Sequence, residues 1–294
     1  MIRETAIEAD GLSLHCLVAG EAEAPLLLFL HGFPEYSGAW EEMLARLSDR
    51  FLCVAPDQRG YGRSSKPKGV RAYAAGKLAA DAAAVLTAFA PKAKAVIGHD
   101  WGASVAYALA FSRPDLMERL IIMNGAHPIP FQRALAAGGA QSAASQYFHD
   151  LRAEGAEDVF AADGFARLRA IFAKGMDMGW LAGPRLDAYL AAWGAPGALE
   201  GMLNWYRATP LKVADPGAPI AEADLIPLDR ARLRVTVPHL LIWGLRDNAL
   251  LLEATEGLDA LCDDLERVDV EGADHWLHHQ KPDEVAGLIR RFCT

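Results

Sequence analysis

No apolar run in this chain is long enough to span a membrane. It also lacks a CxxC pair, a surplus of positive charge and a complete phosphate-cradling loop, and each absence removes a class of function. The longest compact apolar run, PLLLFL at 25–30, has the length of a strand, against the ~18 residues that suggest a spanning helix. The opening stretch, MIRETAIEAD, is without the basic-then-apolar pattern of a secretion signal. Cys16, Cys53, Cys262 and Cys293 are scattered, which reads as reduced thiols in a cytoplasmic protein. Cys53, inside FLCVAP, is expected in the core. A net charge of -9 argues against nucleic acid, whose binding needs a basic surface, and against an anionic membrane surface. AAGKL at 74–78 has the Gly-Lys of a phosphate loop but neither its earlier glycine nor its Ser/Thr. There is no HExxH, internal repeat or low-complexity tract.

What remains is an ordinary globular composition, 52% hydrophobic and 23% charged over 294 residues, enough for one large domain or a domain with an insertion. TAIEADGLSLHCLVAG (5–20) reads as two alternating segments around Asp10-Gly11, a hairpin signal. PLLLFLHG, FLCVAPDQRG, AKAVIGHD and MERLIIMNGAHP are apolar runs that end in turn residues, the pattern of buried parallel strands. Helical spacing lies between them, in AWEEMLARLSDR, in the Ala-rich AAGKLAADAAAVLTAFA, and in WGASVAYALAFSRP, which Pro114 stops. From about Pro128 to Leu233 the strand pattern vanishes, and Ala, Gly and Trp dominate. It resumes at TVPHLLIWGLRD and LERVDVEGADH, and HHQKPDEVAGLIRRF (278–292) reads as a last helix. The expectation is an α/β fold, a mostly parallel sheet flanked by helices, with a helical insertion. Residues 1–127 and 234–294 form its core and 128–233 the insertion.

Four strand ends carry unusual polar residues: His31-Gly32-Phe33-Pro34-Glu35, Gly98-His99-Asp100-Trp101-Gly102, Asp247 in WGLRD and His275 in GADHW. Ligands of such sheets gather at the carboxyl ends of the strands. Gly98 and Gly102 leave room for a sharp strand-to-helix bend that exposes Asp100. The backbone N–H groups of Phe33 and Trp101 can form an oxyanion hole. His275 is the candidate base, and Asp247 orients its imidazole. Asp57 reads as a structural turn residue, and His15 and His239 as core histidines. His275 and His279 stand four apart, but without an HExxH the histidines of HWLHH are expected to be solvated rather than metal ligands. Ser104 lies past the bend and is a poor nucleophile candidate.

The order nucleophile, acid, histidine resembles the α/β-hydrolase superfamily over nearly the whole chain. Within it HGFPE, DQRGYGRSS and GHDWGASVAYALA resemble the epoxide hydrolases, whose relatives, the haloalkane and fluoroacetate dehalogenases, share the aspartate nucleophile. The resemblance implies that 128–233 is a helical cap. An aspartate is already ionised at neutral pH and can displace a leaving group at saturated carbon, forming an alkyl ester. His275 then activates water against that ester.

An opening epoxide leaves an alkoxide, which needs acidic O–H donors, whereas a halide needs N–H donors. In the resembling epoxide hydrolases two cap tyrosines supply the O–H groups. One lies in a motif like Asn204-Trp205-Tyr206-Arg207, so Tyr206 carries over. The other opens a segment like YFHDLRAEGAED (147–158), which points to Tyr147, with Glu154 standing where the family often has Pro. Haloalkane dehalogenases usually have Asn or Glu where this chain has Phe33. The arginines of fluoroacetate dehalogenases are replaced by Trp101 and Ser104. The resemblance therefore implies a cofactor-free, metal-free epoxide hydrolase, monomer or homodimer, acting on a small hydrophobic epoxide, with Phe33, Trp101 and Trp205 contacting substrate and His31 shaping the oxyanion loop. A haloalkane dehalogenase, a non-catalytic small-molecule-binding protein of the same fold and, as a minor possibility, an esterase stay open at this point.

Overall fold

The computed structural model describes residues 1–294. Its first two strands, β1 (Arg3–Ala9) and β2 (Leu12–Ala19), form the expected antiparallel hairpin. Asp10 and Gly11 turn it at positive φ, as a two-residue hairpin loop requires. The remaining strands are β3 (Leu26–Leu30), β4 (Leu52–Pro56), β5 (Ala95–His99), β6 (Leu120–Met123), β7 (His239–Gly244) and β8 (Leu265–Val270). The sheet order is β1-β2-β4-β3-β5-β6-β7-β8. β2 pairs antiparallel with β4, and every pair from β4 to β8 is parallel. The chain leaves β3 toward β4 on one side and then returns to place β5 on the other. That reversal opens a crevice at the carboxyl ends of β3 and β5.

The strands are apolar without alternation because both faces are covered. In β3, Leu26, Leu28 and Leu30 join one core, and Leu27 and Phe29 the other. The second core packs under α1 (Glu41–Leu47) and the C-terminal helix; the first lies under α2 (Ala75–Phe89) and α3 (Trp101–Ser112). Between β6 and β7 come α4 (Pro128–Ala136), α5 (Ala140–Ala144), α6 (Tyr147–Arg152), α7 (Ala156–Ala173), α8 (Pro184–Gly194) and α9 (Ala198–Ala208). α7 is interrupted at 162–165, where Asp163, Gly164 and Phe165 take positive φ. No strand of the sheet comes from 128–233, and the first core continues into this segment through Leu135, Phe148, Leu151, Phe172 and Trp193.

The last helical stretch departs from expectation. It is two helices, α10 (Leu277–Gln280) and α11 (Pro282–Cys293), parted at Lys281 with φ -131 and ψ 51. The ring of Pro282 keeps the preceding residue out of helical geometry. All four cysteines are buried and free, Cys53 in the core as expected. No helix is long and apolar enough to cross a membrane.

One contact fixes α9 over the sheet. The loop after β4 meets α9 backbone to backbone, and a Cβ on Gly201 would stand 2.6 Å from the Cα of Gly60. Arg59, next in that loop, is held by a buried bidentate pair with Asp81 of α2 and accepts the indole N–H of Trp205 on its carbonyl. Gly201→Leu is therefore expected to wedge α9 off the loop at about 1–3 kcal/mol. Chemical denaturation should record this as a lower midpoint at unchanged m-value; an unmoved midpoint contradicts the crossing.

Candidate active site

Asp100 sits between β5 and α3 with φ 51 and ψ -119, a conformation that costs a non-glycine residue about 1–3 kcal/mol. Its neighbours explain how the bend survives. A Cβ on Gly98 would lie 2.6 Å from the Gly102 carbonyl oxygen, and one on Gly102 would collide with the Leu30 carbonyl. The strand and helix can meet this closely only with glycine at both positions, and the side chain between them is pushed out over the carboxyl edge of the sheet.

The other groups arrive from neighbouring strand ends. The loop after β3 brings the Phe33 N–H to Asp100 Oδ1 at 2.7 Å. His31 shapes that loop: its Nδ1–H donates to the Gly32 carbonyl, and its Nε2 accepts from the Gln58 N–H. Burial depresses its pKa, which keeps the ring neutral. The Trp101 N–H opens α3, where helix N–H groups have no intrahelical acceptor. From beyond β7 comes Asp247, and from beyond β8 His275. His275 Nδ1–H donates to Asp247 Oδ2 at 2.7 Å, and its Nε2 lies 3.6 Å from Asp100 Oδ2. Asp247 also accepts from the Ala249 and Leu250 N–H groups and from Asn124 Nδ2 at 2.7 Å.

Burial alone would lower the pKa of His275, but the charge and hydrogen bond of Asp247 and the nearby Asp100 carboxylate push it up to about 10. Burial alone would raise Asp247; His275 and the backbone and Asn124 donors hold it below the usual carboxylate range. The imidazole is thus held charged between two carboxylates, and it loses part of that support if either is neutralised.

Tyr147, at the start of α6, and Tyr206, in α9, wall the same small chamber as Asp100, His275 and Phe33. Their rings are 6.1 Å apart, and neither hydroxyl is taken up by a carbonyl or a carboxylate. Burial and the Asp100 charge raise the pKa of Tyr147, and burial, the neighbouring Tyr147 and the Asp100 charge raise that of Tyr206, so both remain O–H donors. Trp205 turns the other way. It borders a separate apolar cavity of about 270 Å³ with Trp101, Tyr107, Phe111 and Leu233. A smaller pocket beside Asp100 shares Trp101, Ser104, Ala126, Phe131 and Leu211 with that cavity, so the two adjoin along the start of α3. Ser104 faces this space and not the imidazole.

Several placements differ from the sequence reading or were absent from it. His278 and His279 are not solvated: both are buried, His278 beneath Trp40 and His279 stacked 3.7 Å from Trp180. The short α10 turns inward under these rings. His275 precedes α10, so the four-residue spacing to His279 is not a helical pair; His275 faces Asp247, and His279 faces Glu35. His15 and His239 are buried as expected, His15 against Asp57, which in turn accepts from the Ser37 and Arg63 N–H groups as a turn residue should. Asn124 escaped notice, although it ends β6 as the other site residues end their strands. So did Lys174, beyond α7, whose ammonium lies 5.0 Å from the Tyr147 ring.

Residues 25–282 match the family model described as alpha/beta hydrolase fold. The chain is 32% identical to the AB hydrolase superfamily protein YfhM of Bacillus subtilis (strain 168), covering 97% of this chain and 96% of that protein. It is 32% identical to epoxide hydrolase 4 of Mus musculus, covering 97% and 77%. A solved structure of an epoxide hydrolase from metagenomes of hot environments superposes with a TM-score of 0.88 at 35% identity, over 100% of this chain and 98% of that one.

Asn124 offers a direct check on the electrostatics. Asn124→Ala strips a donor from the buried Asp247 and releases the Gly244 N–H it accepts from. The expected loss is about 1–3 kcal/mol in chemical denaturation; stability equal to wild type would mean that Asp247 does not depend on this donor.

Proposed function

The chain belongs to the α/β-hydrolase family, on its epoxide hydrolase-like side, and from that premise we propose that it adds water to an epoxide, giving a vicinal diol by way of an ester on Asp100. The observation that carries this reading is the placement of the Tyr147 and Tyr206 hydroxyls, free of carbonyl and carboxylate acceptors, in the chamber that holds Asp100 and His275. A leaving oxygen that stays on the substrate needs such donors; a departing halide does not.

Asp100 Oδ2 attacks one ring carbon, the carbon–oxygen bond breaks, and the two hydroxyls hydrogen-bond the emerging alkoxide. Esterification removes one of the two charges that keep His275 protonated. One proton is thus released from the imidazole as the alkoxide takes one up. Neutral His275 then draws a proton from water, which attacks the ester carbonyl. The carbonyl oxygen is Oδ1, already paired with the Phe33 N–H at 2.7 Å, and Trp101 supplies the second donor. On collapse the imidazolium protonates the departing diol oxygen and Asp100 is left as the acid; its proton, the second from water, then passes to His275 and restores the resting carboxylate–imidazolium pair.

Residues 128–233 act as a cap on the body formed by 1–127 and 234–294. The apolar cavity beside Trp101, just below the ~300–1,000 Å³ common for small-molecule pockets, supports a small hydrophobic substrate. Four free cysteines support a reducing, cytoplasmic setting.

His275→Gln mixed with styrene oxide should accumulate a protein heavier by the whole epoxide, mapped by peptide mass to Asp100. An unmodified mass with the variant folded overturns the covalent scheme, and an adduct from a bromoalkane panel but not from epoxides overturns the substrate. Tyr206→Phe should cut kcat by roughly 10²-fold or more, read by diol formation from the same epoxide.

A further inference from the structure

A second polar cluster lies one ring away from His275 and takes no part in the proposed reaction. Glu35 is fully buried, and every ion-pair partner it has is a histidine. Its Oε1 is satisfied: it accepts the Tyr189 O–H at 2.9 Å and His279 Nε2–H at 2.8 Å. Its Oε2 lies 3.2 Å from His99 Nδ1 and 3.4 Å from His278 Nε2. His99 Nε2 stands 2.8 Å from the His275 carbonyl oxygen, which can only accept, so that nitrogen carries the proton. His99 Nδ1 then either donates to Glu35 Oε2 at 3.2 Å or presents a lone pair to a cation held between them. His278 has no hydrogen-bond partner on either nitrogen, although it is fully buried. An orphaned buried polar side chain calls for an explanation.

We propose that Glu35 Oε2, His99 Nδ1 and His278 Nε2 form a zinc site. The three atoms lie within 4.8 Å of one another. Zinc bonds of about 2.0–2.1 Å in tetrahedral geometry separate ligand atoms by roughly 3.3–3.4 Å, and two of the three edges are 3.2 and 3.4 Å. Two imidazoles and one carboxylate are a zinc donor set. The surrounding contacts are those that orient metal ligands: the far nitrogen of His99 on a backbone carbonyl, and the far oxygen of Glu35 on two donors. Three protein ligands leave a fourth position for solvent.

The site ties together the segments that carry the catalytic groups. Glu35 follows Phe33 by two residues, His99 directly precedes Asp100, and His278 follows His275 by three. The metal is thus a structural clasp beneath the chamber, and its presence does not depend on which substrate the enzyme takes.

The test is protein produced with and without added zinc, gel-filtered and weighed by native mass spectrometry. Wild type and His275→Gln should each carry one zinc per chain, and His278→Gln none. Wild type produced without zinc should melt lower, and adding zinc to a hundredfold excess over its dissociation constant should raise the melting temperature by roughly 5 °C. Zinc-free wild type from zinc-rich medium, or full zinc retained by His278→Gln, overturns the proposal and leaves a shared proton between Glu35 and the histidines. Should His278→Gln not fold, anomalous diffraction from wild-type crystals at the zinc edge decides: a peak bonded to the three atoms upholds the site, and no peak there overturns it.

Discussion

The positive φ of Asp100 is the constraint around which the site is arranged. A carboxylate that pointed along the strand or down the helix would reach neither the N–H of Phe33 nor the imidazole of His275. The bend lifts it out, and the bend exists because Gly98 and Gly102 allow β5 and α3 to touch. Once Asp100 is fixed there, the switch in strand order between β3 and β5 brings the Phe33 loop beside it, and the next parallel strands deliver Asn124, Asp247 and His275 in turn. The network over-determines one strained residue, and this is the condition under which such strain persists.

Two adjacent residues of α9 divide the space above the sheet. Trp205 anchors to the Arg59 carbonyl and faces the apolar cavity, whereas Tyr206 packs edge-on against Phe33 and Trp101 and faces the chamber. Neighbouring positions on a helix point about 100° apart, so one helix can serve both spaces. Its placement rests on the Gly60–Gly201 contact and on the buried Arg59–Asp81 pair, which hold the loop to α2. The chemistry of the chamber and the shape of the apolar cavity are therefore both tied to a contact about one helical turn before the two side chains.

The parts of this arrangement legible in the sequence were those with a local signature. Apolar runs ending in turn residues placed the parallel strands, and glycines two residues either side of Asp100 marked the bend. Lys281 broke the last helix because Pro282 follows it, a local rule that periodicity alone concealed. The residues that were missed act only through tertiary contacts. Asn124 gains its role from β7 being next to β6. The histidines after Trp276 looked like a polar, solvated helix start, because nothing local records that Trp40 and Trp180 cover them or that Glu35, more than two hundred residues earlier, faces them. Trp205 and Tyr206 are adjacent in the sequence, and only the helix orientation sends one to the apolar cavity and the other to the chamber.

The environments of the two Asp100 oxygens differ, and the proposed chemistry uses that difference. Oδ1 is held by a backbone N–H, which lowers its nucleophilicity and pre-aligns it as the carbonyl oxygen of an ester. Oδ2 faces only the imidazole at 3.6 Å, too long for a strong hydrogen bond, and is the oxygen free to attack. A serine hydroxyl at this bend would have one oxygen and would need His275 to remove its proton before attack. With a carboxylate, the base is not needed in the first half-reaction, and its proton-accepting capacity is kept for water in the second. In the proposed scheme alkylation consumes one of the two carboxylate charges that hold His275 protonated, so the switch from one half to the other follows from electrostatics within three side chains.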